Sequence, residues 1–298
     1  MTVPLLEIRG LRVHYAGEPE VEALRGIDLT VEAGQSIGIL GESGCGKTTL
    51  VSAIPGLLPA NGGVVDGDIL WRGRSLLGRR EPELRALRGA DIATIFQEPG
   101  LALHPTRRVC DQVVEVLRAH GLPKRGSHTA RRQRALGLLA EVGLEGDPAT
   151  AFPHQLSGGQ RQRVLIAQAL ACDPALVLAD EPTASLDAVT AAEILDLSKR
   201  LERTRGTAFL HISHDVDALR RVAEFVVVLH DGRVVESGPM AEVLGNPLAD
   251  AGPRHPHTRA LLASLPPPGG RPEGAPRELP VPDPGDGDAG LDGASRGR

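Results

Sequence analysis

A chain of 298 residues with 41% hydrophobic side chains is long enough for one large α/β domain, or two subdomains, with a buried interior. Its net charge of −5 argues against a protein that binds nucleic acid irrespective of sequence, because neutralising phosphates requires a dense basic surface. No apolar run approaches the roughly 20 residues that cross a bilayer, so any membrane attachment must come through another chain.

The cysteine pattern indicates a reducing compartment. Cys45, Cys110 and Cys172 are far apart and show no paired spacing. The first residues, MTVPLLEIRG, lack the charged start and apolar core of a secretory leader. We therefore expect a protein that is made and kept in the cytosol.

The first half of the chain predicts strands and then an inserted set of helices. The segments LLEIRGLRVHY and IDLTVEAG alternate apolar and polar residues, as half-buried antiparallel strands do, and VVDGDILWRG is typical of a further strand pair. QSIGIL predicts a central strand that leads into a glycine-rich loop and a helix from about residue 47 to residue 58. From about residue 106 to residue 152 the spacing becomes helical, which indicates an inserted helical subdomain.

The second half alternates strands with helices. ALVLAD is a continuous apolar strand of the kind buried on both faces, and it is followed by a helix over residues 188–205. The strand TAFLHIS, the helix DVDALRRVA and the hairpin FVVVLHDGRVVESG follow, with Asp231 and Gly232 as the hairpin turn. This order predicts a doubly wound parallel sheet. Residues 266–298 contain 16 Gly or Pro, and we expect this tail to be disordered.

The loop GESGCGKT (residues 41–48) matches the phosphate-loop pattern and stands between a predicted strand and a predicted helix. Its glycines allow backbone amides to surround a β-phosphate, Lys47 supplies a charge to the β- and γ-phosphates, and the Thr48 hydroxyl is a Mg²⁺ ligand. The predicted ATP-binding residues are Gly41, Glu42, Ser43, Gly44, Cys45, Gly46, Lys47, Thr48 and Thr49. Cys45 is either merely a small residue or, if exposed beside the helix N-terminus, a reactive thiol.

Acidic and polar residues follow the predicted central strands. Asp180 ends ALVLAD at the sheet edge where Mg²⁺ is held in enzymes of this type, and Glu181 comes next, where it can act as a general base on water. Each acid alone could equally be a solvated residue at a strand end. Gln97 ends a short strand and is a candidate contact for Mg²⁺ and water, and His214 is a candidate partner of the γ-phosphate. His211 lies inside its strand and is interpreted as a packed histidine.

Ser157 is a favoured N-cap for the apolar helix that begins in LSGGQRQRVLIAQAL. The amides of Gly158, Gly159 and Gln160 then face outward at the positive helix end, where an anion binds. An ordinary serine cap explains these residues alone equally well. Tyr15 is the only tyrosine, and it is either a core residue or a platform for adenine.

Taken in order, Tyr15, GESGCGKT, Gln97, LSGGQ, LVLADE, the loop of residues 184–187 and His214 resemble the nucleotide-binding subunit of an ATP-binding cassette (ABC) transporter. The resemblance covers about residues 3–265 and implies a P-loop NTPase fold with an N-terminal antiparallel subdomain. HPHTRALLASLP, which begins at His255, is similar to a segment of the subunits that power oligopeptide, dipeptide and nickel importers. The domain prediction is an ABC domain over residues 1–253 with helices inserted at about 100–160, that C-terminal motif over 254–266, and a disordered tail over 267–298.

The resemblance implies ATP hydrolysis with Mg²⁺ held by Thr48, Gln97 and Asp180, and catalysis by Glu181, His214 and Gln97. It also implies that two cassettes, identical or paralogous, dimerise head to tail. In that dimer the ATP of one cassette is bound by four residues of the other, Ser157, Gly158, Gly159 and Gln160. Asp187 then lies at the contact between the two cassettes, here called the seam.

The implied partners are two membrane-spanning permease subunits and, indirectly, an extracytoplasmic solute-binding protein, with the cassette peripheral on the cytoplasmic face of the membrane and no nucleic acid bound. The most favoured cargo is di- or oligopeptides, with nickel or another small solute as the alternative in the same group. A soluble ABC ATPase acting on nucleic acid or ribosomes, and an exporter cassette, are less favoured. The cysteines that bind an iron–sulfur cluster in many relatives are missing after Cys172, so we expect no cluster.

Overall fold

The structure is a computed structural model that describes residues 3–96, 102–123, 126–245 and 253–263. Its larger sheet has six strands in the order β10-β9-β3-β8-β7-β6, and all neighbours are parallel except β10 on β9. Strands β3, β7 and β8 are buried along their whole length, because the sheet is covered on both faces. The six strands are β3 Ser36–Leu40, β6 Ile92–Ile95, β7 Leu176–Asp180, β8 Ala208–Ser213, β9 Phe225–His230 and β10 Arg233–Pro239.

The smaller sheet is antiparallel and has the order β2-β1-β4-β5. Its strands are β1 Leu6–Tyr15, β2 Val21–Val31, β4 Gly62–Trp71 and β5 Arg74–Ser75. The predicted strand pair within VVDGDILWRG is wrong, since residues 64–71 of this segment lie in one long strand and residues 72–73 form the turn that follows it. Gly67 takes a φ of 88° and produces an irregularity opposite β1 instead of a turn, and the chain reverses only after Trp71.

Ten α-helices lie wholly within the described part of the chain, together with a 3₁₀ helix at Pro153–Gln155. The α-helices are α1 Lys47–Ala53, α2 Glu81–Leu87, α3 Val109–Ala119, α4 His128–Glu141, α5 Asp147–Thr150, α6 Gly158–Ala169, α7 Ala188–Arg205, α8 Val216–Val222, α9 Met240–Val243 and α10 Pro256–Ala263. None of these helices combines the length and the apolar character that crossing a membrane requires. Helices α3 to α5 stand between β6 and β7 in the chain, where the sequence predicts the helical insertion.

Helix α1 ends earlier than predicted, at Ala53 and not near residue 58. Gly56 adopts a left-handed φ of 67°, and the Leu57 amide donates back to the Ser52 carbonyl at 2.7 Å, which closes the helix end. The two sheets and α1 enclose one apolar cluster, and helices α3, α4, α6 and α7 enclose a second on the other face of the larger sheet. The predicted tail lies outside the described residues.

His211 is buried in the middle of β8 and stacks on Phe209 with ring centroids 5.2 Å apart, as the interpretation of a packed histidine requires. Neither ring nitrogen has a hydrogen-bond partner among the residues that the structure describes. Burial lowers the pKa of His211 to about 4, and burial raises the pKa of Glu202, on α7, to about 7. The two groups therefore change protonation on folding in opposite senses.

We expect these two residues to oppose each other in the pH dependence of stability. Unfolding lets His211 take up a proton between about pH 4 and 6.5, so its contribution falls by about 3 kcal/mol as the pH drops through this window. Glu202 is favourable in its protonated form, so its contribution falls as the pH rises from about 4.5 to 7. Urea unfolding of His211→Leu at several pH values should show a smaller decline of stability toward acid than the wild type, and Glu202→Gln should gain stability over the wild type as the pH rises from about 4.5 to 7 and keep that gain at higher pH. Curves parallel to that of a His128→Leu control would contradict both assignments.

Candidate functional site

The glycine-rich loop lies between β3 and α1 and can be formed only by glycine at its closest contacts. A Cβ on Gly41 would stand 2.4 Å from the Leu229 carbonyl oxygen, and one on Gly46, whose φ is 108°, would stand 2.7 Å from the Ala23 oxygen. Helix α1 begins with neither a capping side chain nor an acidic residue in its first turn. Its N-terminal amides therefore remain suited to an anion.

Lys47 is buried at the start of α1, with 7% of its surface exposed. Its ammonium group donates to the carbonyl oxygens of Gly41 and Glu42, each at 2.7 Å. The positive charge is thus held inside the loop, while Glu42, Ser43 and Gly44 are exposed. The loop thus holds a cation beside the uncapped start of α1.

Cys45 is buried and not exposed, which overturns one of the two sequence alternatives. Burial raises the pKa of its thiol, with a smaller opposing effect of Lys47, so the thiolate that would react is disfavoured. A Cβ on Gly41 would approach its Sγ to 2.6 Å, so the side chain fills the inside of the loop. Cys45 therefore acts as a small packing residue.

Asp180 and Thr48 meet where β7 ends beside α1. The Thr48 hydroxyl lies beside the Asp180 carboxylate, which is buried. Burial raises the pKa of Asp180, the neighbouring Glu181 adds to this effect, and Thr48 and Lys47 oppose it. A buried carboxylate with a hydroxyl and a second acid beside it is a donor set that suits a hard cation such as Mg²⁺.

Glu181 stands in a left-handed conformation that only a few per cent of non-glycine residues adopt, with a φ of 44°. Its amide donates to the Ile212 carbonyl at 3.0 Å, so the neighbouring strand holds this turn. One carboxylate oxygen lies 3.0 Å from Nδ1 of His214, which follows β8. Backbone strain of this kind is typical of functional sites. The order of motifs in the sequence gives no sign of it.

Two further sequence candidates have different outcomes. Tyr15 ends β1, where its hydroxyl lies 3.2 Å from the Thr49 hydroxyl, so the structure brings it beside α1. Gln97 lies outside the described residues.

Residues 157–160, here called the signature segment, cap the helix that they begin, α6. Ser157 Oγ accepts from the Gln160 amide at 3.2 Å, and Gln160 Oε1 accepts from the Ser157 amide at 2.9 Å. The prediction that the Gln160 amide faces outward is therefore wrong, because this amide donates to the Ser157 side chain in a reciprocal capping box. Ser157 is exposed, Gly158 and Gln160 are half-buried, and Gly159 is buried.

Asp187 caps α7 and touches the signature segment through its neighbours. Its carboxylate accepts from the amides of Val189 and Thr190 and, at 2.6 Å, from the Thr190 hydroxyl, and these hydrogen bonds lower the pKa of Asp187. A Cβ on Gly159 would lie 2.4 Å from the Thr190 methyl group. Thr190, which the sequence does not mark, therefore joins Asp187 to the start of α6.

Comparison with known proteins agrees with this set of residues. A family model described as "ABC transporter" matches residues 24–184. The dipeptide transport ATP-binding protein DppD of Bacillus subtilis is 39% identical over 268 residues, covering 88% of this chain and 77% of that protein. The chain belongs to the ABC transporter family. The oligopeptide transport ATP-binding protein OppD of the same organism is 40% identical over 88% of this chain and 72% of that protein.

Solved structures of other ABC cassettes share the fold. The ATP-binding cassette MJ0796, in a dimeric post-hydrolysis state bound to ADP and Pi, superimposes with a TM-score of 0.71 and 31% identity over 79% of this chain and 98% of that one. The cassette cbiO1 of Clostridium perfringens has a TM-score of 0.69 and 28% identity over 81% of this chain and 90% of that one. The predicted family, fold class and ATPase activity of a transport cassette are confirmed.

The contact between Gly159 and Thr190 gives a prediction for this cassette. Gly159→Ala should lower the free energy of unfolding by about 1–3 kcal/mol, because its methyl group would overlap that of Thr190. Thr190→Ser removes the obstructing methyl group and keeps the hydroxyl bonded to Asp187, so the double variant should recover most of the loss. Urea unfolding of the single and double variants measures this coupling.

Gly137→Ala is the matched control for that experiment. Gly137 lies inside α4, and a Cβ added there would have no atom within 4 Å, so alanine should be neutral or stabilising. Equal losses at Gly137 and Gly159, or no recovery with Thr190→Ser, would contradict the contact.

The ABC cassette also carries an apolar groove of about 310 Å³ beside the end of β6. It lies between the β6 strand, α3 and α6, and Phe96 and Leu57 at its rim are 53% and 43% exposed. Large apolar side chains exposed around one depression are typical of a surface that another protein covers.

Proposed function

We propose that this chain is the ATP-hydrolysing subunit of an ABC importer for di- or oligopeptides. The supporting observation is that a phosphate loop, a buried acid beside Thr48, and Glu181 paired with His214 occur in one fold with a capped signature helix. The peptide assignment is supported by similarity to DppD and OppD, which are named for dipeptide and oligopeptide transport.

In the proposed mechanism, residues 41–49 bind the phosphates of ATP. Backbone amides and the Lys47 ammonium neutralise the β- and γ-phosphates, and Tyr15 stacks on adenine. Glu181 orients a water molecule and accepts its proton, while His214 holds the Glu181 carboxylate and reaches the γ-phosphate. Thr48, Asp180 and Gln97 would hold Mg²⁺, which supplies charge neutralisation at the phosphate oxygens.

The proposed catalytic unit contains two cassettes. Ser157, Gly158, Gly159 and Gln160 of one cassette contact the γ-phosphate bound by the other, with Asp187 near the seam. The exposure of Ser157 at a helix N-terminus supports this role, as does the similarity to a cassette solved as a dimer with ADP and Pi. Loss of the bridging phosphate on hydrolysis would separate the two halves.

We place the partner permease subunits at the groove beside β6. A helix of a membrane-spanning subunit would cover Phe96 and Leu57, which holds the cassette on the cytoplasmic face of the membrane. The solute-binding protein outside the membrane would act through the permease and would select the cargo.

Phe96→Asp should break this docking. A charge in the apolar groove leaves the cassette folded but should reduce its recovery with co-expressed permease subunits by about tenfold or more, because a buried unpaired charge is costly. Val21→Asp is the matched control, since Val21 is 52% exposed on β2 and away from the groove. Equal recovery of the two variants after detergent extraction would place the permease elsewhere.

Transport in vesicles tests the function as a whole. The reconstituted complex should take up labelled di- and tripeptides only with ATP, and peptide with its binding protein should stimulate ATP hydrolysis. Uptake of nickel without peptides would select the alternative cargo. Hydrolysis stimulated by nucleic acid and not by permease would overturn the proposal.

A further inference from the structure

Three potential metal ligands from distant parts of the chain lie together beside the phosphate loop. They are Glu42 in the loop, His230 at the end of β9 and His257 in the first turn of α10, and their ligand atoms all lie within 4.8 Å of one another. These residues have no role in the proposed hydrolysis beyond the loop position of Glu42. The cluster is separate from Asp180 and Thr48, whose oxygen donors suit Mg²⁺.

The chemistry of the cluster favours a borderline transition ion. Two imidazoles and one carboxylate are a common protein ligand set for Zn²⁺, with a water molecule in the fourth position. Mg²⁺ prefers oxygen donors and would not compete for the two imidazoles. The Nε2 atom of His257 is buried and has no hydrogen-bond partner within the described ranges, so the surroundings leave one polar atom unsatisfied at this point.

Binding an ion requires the three ligand atoms, which lie within 4.8 Å of one another, to move closer together. The rings of His230 and His257 stack with centroids 3.6 Å apart at an angle of 26°. Ligand atoms around a tetrahedral Zn²⁺ are about 3.4 Å apart, so ring rotation that turns both nitrogens toward Glu42 brings the set to bonding geometry. Glu42 is exposed, which leaves its carboxylate free to rotate inward.

The backbone around each ligand is already held by other contacts. The Glu236 carboxylate accepts from the amides of Arg254 and His255, at 2.7 and 3.2 Å, and so fixes the entry to α10. His255 Nδ1 accepts from the His257 amide at 3.2 Å. On the loop side, the Gly232 amide donates to the Cys45 carbonyl at 3.1 Å, which joins the β9-β10 hairpin to the phosphate loop.

We propose that Glu42, His230 and His257 form a Zn²⁺ site that fastens the C-terminal helix α10 to the phosphate loop. The bound ion places two positive charges next to the nucleotide-binding loop and adds a direct cross-link between three segments that hydrogen bonds and packing already hold near one another. Its occupancy therefore couples the position of α10 to the loop that binds ATP. This site depends on the fold and not on the proposed cargo, so its test and the transport test can fail separately.

Zinc titration of the full-length, untagged and metal-depleted protein tests the site. With excess Mg²⁺ present, competition with a chelating indicator should show one Zn²⁺ per chain, and Co²⁺ should give the intense visible bands of a tetrahedral ion. His230→Phe and His257→Phe keep a stacked ring and remove a ligand, so each should weaken Zn²⁺ binding by about 100-fold or more, since even outer-shell partners are worth about 10–100-fold. His128→Ala and His154→Ala, which change exposed histidines outside the cluster, should leave binding unchanged.

Hydrogen exchange supplies a second readout that does not depend on ATP hydrolysis. Zn²⁺ should slow amide exchange in residues 256–263 of the wild-type protein, and this protection should be lost in Glu42→Gln, which keeps the shape of the side chain. Absence of a stoichiometric Zn²⁺ ion would overturn the proposal. So would Zn²⁺ affinities of the two phenylalanine variants equal to those of the controls, or Zn²⁺ binding that leaves exchange in α10 unchanged.

Discussion

Replacing Glu181 by glutamine should lower ATP turnover by about 10²- to 10⁴-fold and leave ATP bound, because the amide keeps the shape of the side chain but cannot accept the proton of the attacking water. The Glu181 carboxylate lies 3.0 Å from His214 Nδ1, and the Glu181 backbone has a left-handed φ of 44°. These two constraints fix the direction of the side chain. Single-turnover hydrolysis measures the chemical step, and nucleotide binding is measured in parallel. The stalled variant should also accumulate as an ATP-bound dimer in size-exclusion chromatography.

Two control variants make the role of Glu181 testable. Glu145→Gln changes an exposed acid in the helical region and should leave turnover unchanged. His214→Ala removes the partner of Glu181 and should lower turnover, while the carboxylate remains as a base. Hydrolysis by Glu181→Gln at the wild-type rate would contradict the role of Glu181 as the base, whether or not an ATP-bound dimer accumulates.

Replacing Lys47 by alanine should weaken ATP binding by about 100-fold or more. Hydrogen bonds to charged groups contribute about 1.5–3 kcal/mol each, and Lys47 is expected to reach both the β- and γ-phosphates. Lys47→Arg should also fail, because the ammonium group lies 2.7 Å from two carbonyl oxygens and leaves no room for a planar guanidinium. Calorimetric titration with ATP and Mg²⁺ gives the affinity, and the rise in melting temperature with ATP gives an independent estimate.

Lys199→Ala is the control for the charge of Lys47. Lys199 lies on α7, where its ammonium group donates to the Arg221 carbonyl at 2.8 Å, away from the phosphate loop. Its removal should leave ATP affinity within about twofold of the wild type, since a surface interaction of this kind contributes little. An affinity loss equal to that of Lys47→Ala would mean that net charge, and not the loop cation, controls nucleotide binding.

Short-range patterns explain why much of the site could be predicted. The phosphate loop, the Ser157 cap and the Asp231-Gly232 hairpin turn each lie within a few residues, and glycine, serine and aspartate have direct conformational reasons to occupy these positions. The apolar runs in β7 and β8 likewise predict strands with both faces buried. The order of these motifs is sufficient to predict the family.

Contacts between distant segments explain what was missed. The burial of Cys45, the strained turn at Glu181 and the Thr190 methyl group against Gly159 each depend on a neighbouring element. The length of α1 depends on the backbone conformation of Gly56, and the unbroken course of β4 depends on that of Gly67. Neither could be predicted, because glycine permits several conformations.

The sequence by itself determined the ABC family, the phosphate loop and the acidic residues that follow β7, since each is carried by a contiguous run of residues. Only the tertiary structure decided that Cys45 is buried, that His214 pairs with Glu181, and that Glu42, His230 and His257 meet. The physical reason is that local patterns set backbone conformation and burial, whereas the approach of side chains from different elements depends on how the packed sheet and helices bring them together.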